Sequence, residues 1–355
     1  MRKQISSVAA KLKPYFDGLL REDAETGGLY LHDDELGDRA SCCTQGQVAC
    51  FYVLDEMLHG GDGGRKASLL AADIRRRQLE NGAFTQPYYV KKGESGTVDI
   101  AEIGAVANGL YHVARATGSE ASRSSLILAA DYLLTQVAAE HPGAVYKNPN
   151  ARGHDVLNGD MYAAHTWGRA YELTGNGEYL RRAEAVFAHL ADRFGRHSKG
   201  WWPYIERWDG SVGMGNSVSY QGTIIGFAHT ALPHMPAELR RKWADVEREA
   251  VDTMLTAMEE GPNDRNEAPW WCRDWNNAWE IYLAFSRFPA NAAATARVQR
   301  RLREVDERLG TEGAAVFRPN VAAPDPERTP VTTTFRKAAT FAGIVSYMIL
   351  DRMER

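Results

Sequence analysis

The 355-residue chain carries 42 Lys and Arg against 46 Asp and Glu, a formal net charge of −4, so no basic excess argues for a nucleic-acid or anionic-membrane partner. With 44% hydrophobic and 25% charged residues it can bury a sizeable globular core, and no run approaches the ~18 apolar residues of a membrane-spanning helix. Cys42, Cys43, Cys50 and Cys272 form no CxxC pair, and Ile5–Lys13 is too polar for a signal-peptide apolar region; reduced thiols in a cytoplasmic protein are the expectation.

Two kinds of helical stretch alternate along the chain. Periodicity predicts amphipathic helices over 3–21, 64–80, 120–139, 178–194, 237–259 and 292–309, with Arg, Lys and Glu at many positions. Each is followed by a helix apolar on nearly all sides, over 44–59, 98–117, 154–174, 216–232, 273–287 and 333–353. The first kind suits an outer layer with one wet face, and the second suits burial among neighbours. Turns after the apolar helices, such as Thr117-Gly118-Ser119, are short, so successive pairs pack side by side. Loops within the pairs are longer. They repeat a Gly or small residue followed by aromatic or β-branched ones, as in Gly28-Leu29-Tyr30, Gly82-Ala83-Phe84, Gly143–Tyr146, Gly200–Tyr204, Pro269-Trp270-Trp271 and Gly313–Phe317, which predicts short strands.

The apolar helices open on a recurrent polar pair three residues apart. The pairs are Thr44/Gln47, Asp99/Glu102, Asp155/Asn158, Asn216/Ser219, Asp274/Asn277 and Thr334/Lys337, at steps of 55, 56, 61, 58 and 60 residues. Seven places beyond each first member, on the same helical face, stand Phe51, Val106, Tyr162, Thr223, Ile281 and Phe341. So long a period, with two helices per repeat, marks a helical array. Neither terminal pair has the polar face of a solenoid cap. The expected fold is therefore an all-α (α/α)6 toroid, one domain over 1–355, with the six polar helix starts at one end. N-capping explains the first members of the pairs. It explains Asn158, Ser219, Asn277 and Lys337 less well, because they are not the Glu or Gln of a capping box.

Asp155, Asn158, Tyr162, His165 and Arg169 fall within one helical arc of about 80°. Five polar or amphipathic side chains on one arc fit either a satisfied buried network or the wall of a wet cleft. Asp160 projects elsewhere, as a buried carboxylate with a raised pKa or a packing partner. Tyr204, Glu206, Arg207 and Trp208 precede Asn216, Ser219 and Tyr220, while Trp270, Trp271, Arg273, Asp274, Trp275, Asn277 and Glu280 lie within eleven residues. Indoles interleaved with carboxylates, amides and Arg suit a sugar, whose C–H faces stack while its hydroxyls and carboxylate need directed hydrogen bonds; the same tryptophans also suit a core. The acidic stretch His32–Asp38 reads as a solvated turn, and no phosphate loop, HExxH or GxSxG occurs, so neither metal nor cofactor is expected.

At Asn158–Tyr162, Tyr171–Gly175, Tyr179–Ala183, Gly200–Tyr204 and Tyr220–Ile225 the chain resembles (α/α)6 proteins related to glucuronyl C5-epimerases of polysaccharide biosynthesis. Those relatives usually carry an Asp-Asn-aromatic-His-Thr-Gly run where this chain reads Ser217-Val218-Ser219-Tyr220-Gln221-Gly222, with Tyr220 at the His position. Unsaturated glucuronyl hydrolases are a second resemblance, in which Asp99 and Asp160 match two functional Asp positions. Lanthionine cyclases share the toroid, but their Cys and His zinc ligands have no counterpart here.

The first resemblance implies an enzyme acting on a uronic-acid saccharide by removing the C5 proton, as an epimerase or lyase. Tyr162, His165, Tyr204 and Tyr220 are then the expected proton-transfer groups, with Asp155 and Asp160 as further catalytic carboxylates. Saccharide contacts are expected from Asp99, Asn158, Trp201, Trp202, Glu206, Arg207, Asn216, Trp270, Trp271, Arg273, Asp274 and Asn277. The competing readings are a glycoside hydrolase using Asp99, Asp155 or Asp160, a terpenoid cyclase, and a noncatalytic glycan-binding protein. The sequence leaves the oligomeric state open.

Overall fold

The computed structural model describes residues 1–259, 278–320 and 325–353. In chain order the helices are α1 (Arg2–Leu19), α2 (Cys42–His59), α3 (Gly63–Arg77), α4 (Ile100–Thr117), α5 (Glu120–Leu134) and α6 (Leu157–Thr174). They continue with α7 (Gly177–Arg193), α8 (Val218–Ala228), α9 (Ala237–Glu259), α10 (Trp279–Ser286), α11 (Ala292–Glu312) and α12 (Thr334–Met353). The chain forms two compact units, Met1–Ala129 with Gln299–Arg355, and Ala130–Val298. No helix among the described residues is long and apolar enough to cross a membrane.

In the first unit the two helix types differ in burial as their sequences predict. Helix α1 buries Ile5, Val8, Ala9, Leu12 and Phe16, and α3 buries Ala67, Leu70, Ala71 and Ile74, the spacing of a single apolar face. Helix α2 instead buries every residue from Thr44 to Asp55, and α4 every residue from Glu102 to Val113. The latter pair approaches through small residues. A Cβ on Gly109 would stand 2.3 Å from the Gly46 carbonyl oxygen, so Gly109→Ala must push the backbones apart. The expected loss is about 1–3 kcal/mol in denaturant unfolding. Gly18→Ala, whose added Cβ meets nothing within 4 Å, should be neutral or stabilising in the same assay.

In the second unit α6 buries every residue from Leu157 to Ala170, while α7 buries Tyr179, Ala183, Val186, Phe187 and Leu190 on one face. Indole N–H groups tie the helices to neighbouring backbone: Trp167 donates to Ala130 O at 3.1 Å and Trp243 to Phe187 O at 3.0 Å. The short strands β1 (Leu20–Glu22), β2 (Leu29–Asp33), β3 (Asp38–Arg39), β4 (Thr85–Gln86) and β5 (Thr97–Val98) belong to the first unit; in the second, β6 (His154–Val156), β7 (Pro203–Arg207) and β8 (Val212–Asn216) form an antiparallel sheet that sets Asp155 opposite Glu206 and Pro203 opposite Asn216.

The helix starts differ from the sequence expectation where backbone pairing or a neighbouring hydroxyl intervenes. Residues 154–156 pair as strand, so α6 begins at Leu157, and Asn216 ends β8 rather than opening α8. Asp99 does cap α4, accepting from Ala101 N–H at 2.8 Å. Ser41 rather than Thr44 caps α2, Ser217 rather than Asn216 caps α8, and at α12 Thr333 accepts from Arg336 N–H at 2.9 Å. Gly313–Phe317 winds into a 3₁₀ turn and not a strand.

Candidate functional site

In the second unit, β6 and the first turn of α6 deliver two carboxylates to one imidazole on α7. His189 Nε2–H donates to Asp155 Oδ2 at 2.8 Å, and Asp160 Oδ2 lies 3.8 Å from the same nitrogen. Val145 N–H donates to Asp160 Oδ1 at 2.7 Å. Burial, then the Asp155 charge, pushes the Asp160 carboxyl well above the usual carboxylate range. The His141 ring lies 4.2 Å from that of His189, and burial followed by the repulsion of His189 and Arg193 lowers its pKa. Across the β6–β7 pairing, Glu206 is held by Arg193 Nε at 3.0 Å and His197 Nε2 at 2.9 Å. A cavity of about 200 Å³, bounded by His141, Arg193, Glu206, Arg207 and Trp208, reaches Asp155.

A second group forms where β7 and the start of α8 meet the loop before β6. The rings of Tyr204 and Tyr220 stack with centroids 4.0 Å apart and planes 22° from parallel. Lys147 Nζ donates to the Tyr204 hydroxyl at 3.3 Å. Lys147, Tyr204, Ser219 and Tyr220 are all half-buried, so each keeps part of its surface open to solvent. The structure thus brings together two of the tyrosines that the sequence nominates for proton transfer, and adds a cation that it does not nominate. Asn158, in the first turn of α6, is 9% exposed, and its Oδ1 has no hydrogen-bond partner among the described residues.

Several of the nominated residues are placed away from solvent or are engaged by neighbouring groups. Trp201 and Trp202 are 4% and 2% exposed. The Trp202 ring packs on Phe194 and Trp243, its indole N–H donates to Leu190 O at 2.7 Å, and its backbone N–H is held by Gln221. Trp201 lines a cavity of about 570 Å³ together with Lys199, Arg248, Asp252, Thr253 and Ala257. Asn216 is buried with Nδ2 donating to Ser198 Oγ, and Glu206 is spent on Arg193 and His197. His165 is fully buried. The Thr230 hydroxyl already donates to Phe227 O, so it accepts from His165 Nδ1–H at 3.1 Å. Arg169 pairs with Glu172 at 3.1 Å, Tyr162 packs on Phe227, and Arg207 is exposed on the β7–β8 turn, where it bonds Ser211 and Val212. Trp270, Trp271, Arg273, Asp274 and Asn277 lie outside the described residues.

In the first unit the starts of α2 and α4 lie together, because Glu102 Oε1 accepts from Cys43 N–H at 2.9 Å. Burial pushes the Glu102 carboxyl up to about 7, against the pull of that N–H, of Arg336 and of Ser41. Asp99, three residues earlier, is half-buried and spent as a cap. Nearby polar pairing is dense: Asp33 accepts from Thr333 at 2.7 Å and from Tyr88 at 3.2 Å, and the Arg336 guanidinium lies 4.2 Å from the Tyr88 ring centroid. Glu102 is legible in the sequence only as the second member of a repeat pair that also reads as a capping box. His189 and Lys147 carry no sequence signal, being one polar residue on an amphipathic helix and one lysine in a loop.

No protein-family model matches the chain, and no curated protein matches it in sequence. Its structure is similar to solved ones. A cellobiose 2-epimerase from Spirochaeta thermophila matches with a TM-score of 0.69 at 12% identity, over 100% of this chain and 98% of that one. A sugar epimerase from a ruminal bacterium matches with a TM-score of 0.63 at 14% identity, over 96% and 98% of the two chains. An unsaturated glucuronyl hydrolase specific for heparin matches with a TM-score of 0.59 at 12% identity, over 99% and 96%. These likenesses show the fold: it is the (α/α)6 toroid of paired helices, as the sequence periodicity predicts.

Proposed function

We propose that the chain is a carbohydrate-active enzyme that moves a proton on a saccharide, in the manner of an epimerase or lyase. The observation that carries this reading is the stacked Tyr204–Tyr220 pair with Lys147 on one hydroxyl. Removing a proton next to a carboxylate or carbonyl needs a base, an acid for the return, and a positive group for the charge that builds up on oxygen. Two phenols and an ammonium supply those three kinds of group within one cluster. Lys147 beside the tyrosines favours a uronic-acid residue with proton removal at C5, since an ammonium pairs with a carboxylate. Two of the similar structures are described as epimerases of sugars, which supports the same class of chemistry.

Incubation with uronate-containing and neutral saccharides in deuterated water tests the proposal. Deuterium at C5 of the uronate, or an unsaturated product absorbing in the ultraviolet, is the expected result. Exchange only at a carbon next to the reducing-end carbonyl of a neutral sugar would keep the proton-transfer chemistry and discard the uronate. Release of sugar without exchange would favour a hydrolase, for which Glu102 has the required protonation but is only 2% exposed. Glycan binding with neither reaction would leave a noncatalytic binder.

A further inference from the structure

Asp155, Asp160 and His189 present one imidazole nitrogen and two carboxylates to a common point, and their ligand-type atoms all lie within 4.8 Å of one another. No N–H group of the described residues donates to Asp155 Oδ1 or Asp160 Oδ2, although the residues are only 3% and 0% exposed. Two buried carboxylate oxygens without a donor demand a positive species between them, either a proton or a metal cation. The imidazole on the same edge, which donates to Asp155 Oδ2, offers a third ligand and so makes a metal the alternative to a shared proton.

We propose that Asp155, Asp160 and His189 form a divalent-cation site for an ion of the Zn²⁺ type. Bonds of about 2.0–2.2 Å to tetrahedral Zn²⁺ place neighbouring ligand atoms about 3.3 Å apart. The observed separations from His189 Nε2, 2.8 Å to Asp155 Oδ2 and 3.8 Å to Asp160 Oδ2, bracket that value. A mixed imidazole and carboxylate set selects against Mg²⁺ and Ca²⁺, which take oxygen ligands. Two carboxylates and a neutral imidazole balance the ion's charge. Asp155 lies on the wall of the 200 Å³ cavity, so an ion has an entry path and a water from the cavity can complete the coordination. Binding at Nε2 moves the ring proton to Nδ1, on an imidazole whose neighbour is the His141 ring at 4.2 Å. The arrangement is independent of the tyrosine pair, so the two proposals stand or fall separately.

The full chain, stripped with a chelator, is titrated with Zn²⁺ by calorimetry and with Co²⁺ by visible absorption. One saturable equivalent is expected, with a Co²⁺ spectrum of nitrogen and oxygen ligation that Zn²⁺ displaces one for one, and a Zn²⁺-dependent rise in Tm. Asp160→Asn and His189→Gln, with folding followed by circular dichroism, should each weaken binding at least about 10-fold. Undiminished binding in both folded variants would assign the metal to other histidines and overturn the proposal. If neither variant folds, the wild-type titration decides: no saturable uptake, or uptake without a displaceable Co²⁺ spectrum, means that a shared proton bridges the carboxylates and no metal site exists.

Discussion

Tyr220→Phe should lower the rate of proton exchange at the reacting sugar carbon by about 10²–10⁴-fold, the usual contribution of a positioned proton-transfer group. The change removes one oxygen and keeps the ring, so the 4.0 Å stack on Tyr204 and the helix start around Ser217 are retained. Tyr204→Phe should have a comparable effect and also strip Lys147 of its hydroxyl partner. A useful comparison is His165→Gln. His165 is fully buried on Thr230, so its replacement should cost stability and leave exchange per folded molecule within a few-fold of wild type. Deuterium incorporation followed by NMR, normalised to the folded fraction from circular dichroism, separates the outcomes. Full exchange activity in both tyrosine variants would remove them from the chemistry and take the proposed function with them.

The second large effect concerns Glu102 and pH. Its carboxyl stands at about 7 in the folded chain, against an ordinary value of 4.5. Below pH 4.5 both folded and unfolded forms hold the proton, and stability owes nothing to it. Between the two values the unfolded chain releases a proton that the folded chain keeps, so stability falls as pH rises, and the loss is complete above about 7. At about 1.36 kcal/mol per pH unit, the loss amounts to roughly 3 kcal/mol. Glu102→Gln keeps an oxygen for Cys43 N–H and removes the charge. The variant should therefore match wild type near pH 4 and exceed it by up to roughly 3 kcal/mol near pH 8, read from denaturant unfolding across that range. A constant difference at all pH values would show that Glu102 does not titrate in that window.

The clustering of Asp155, Asp160 and His189 shows why the sequence reading of sites was partial. Asp155 and Asp160 are five residues apart and readable as a pair of acids, but His189 comes from a helix whose charged face gives it no distinction. The same limit applies to Trp202. An aromatic-rich loop has the composition of a sugar platform and of a core anchor alike, whereas the structure shows Trp202 2% exposed with its indole N–H on Leu190 O.

By itself the sequence determined the helices and their two kinds, because burial on one face or on all faces is written in the spacing of apolar residues. It placed the starts of α5, α9 and α11 at their observed residues and the other observed helix ends within five residues; the expected start of α10 lies outside the described residues. It also nominated Tyr204 and Tyr220. Only the tertiary structure decided which polar groups meet. The Asp155–Glu206 register, the Lys147–Tyr204 bond, the Glu102–Cys43 contact and the Asp155–Asp160–His189 cluster join residues from separate elements. A periodic pattern fixes which face of a helix is buried, but it does not specify the partner on the facing element. Distance, burial and the electrostatics that follow from them therefore enter only when the elements pack.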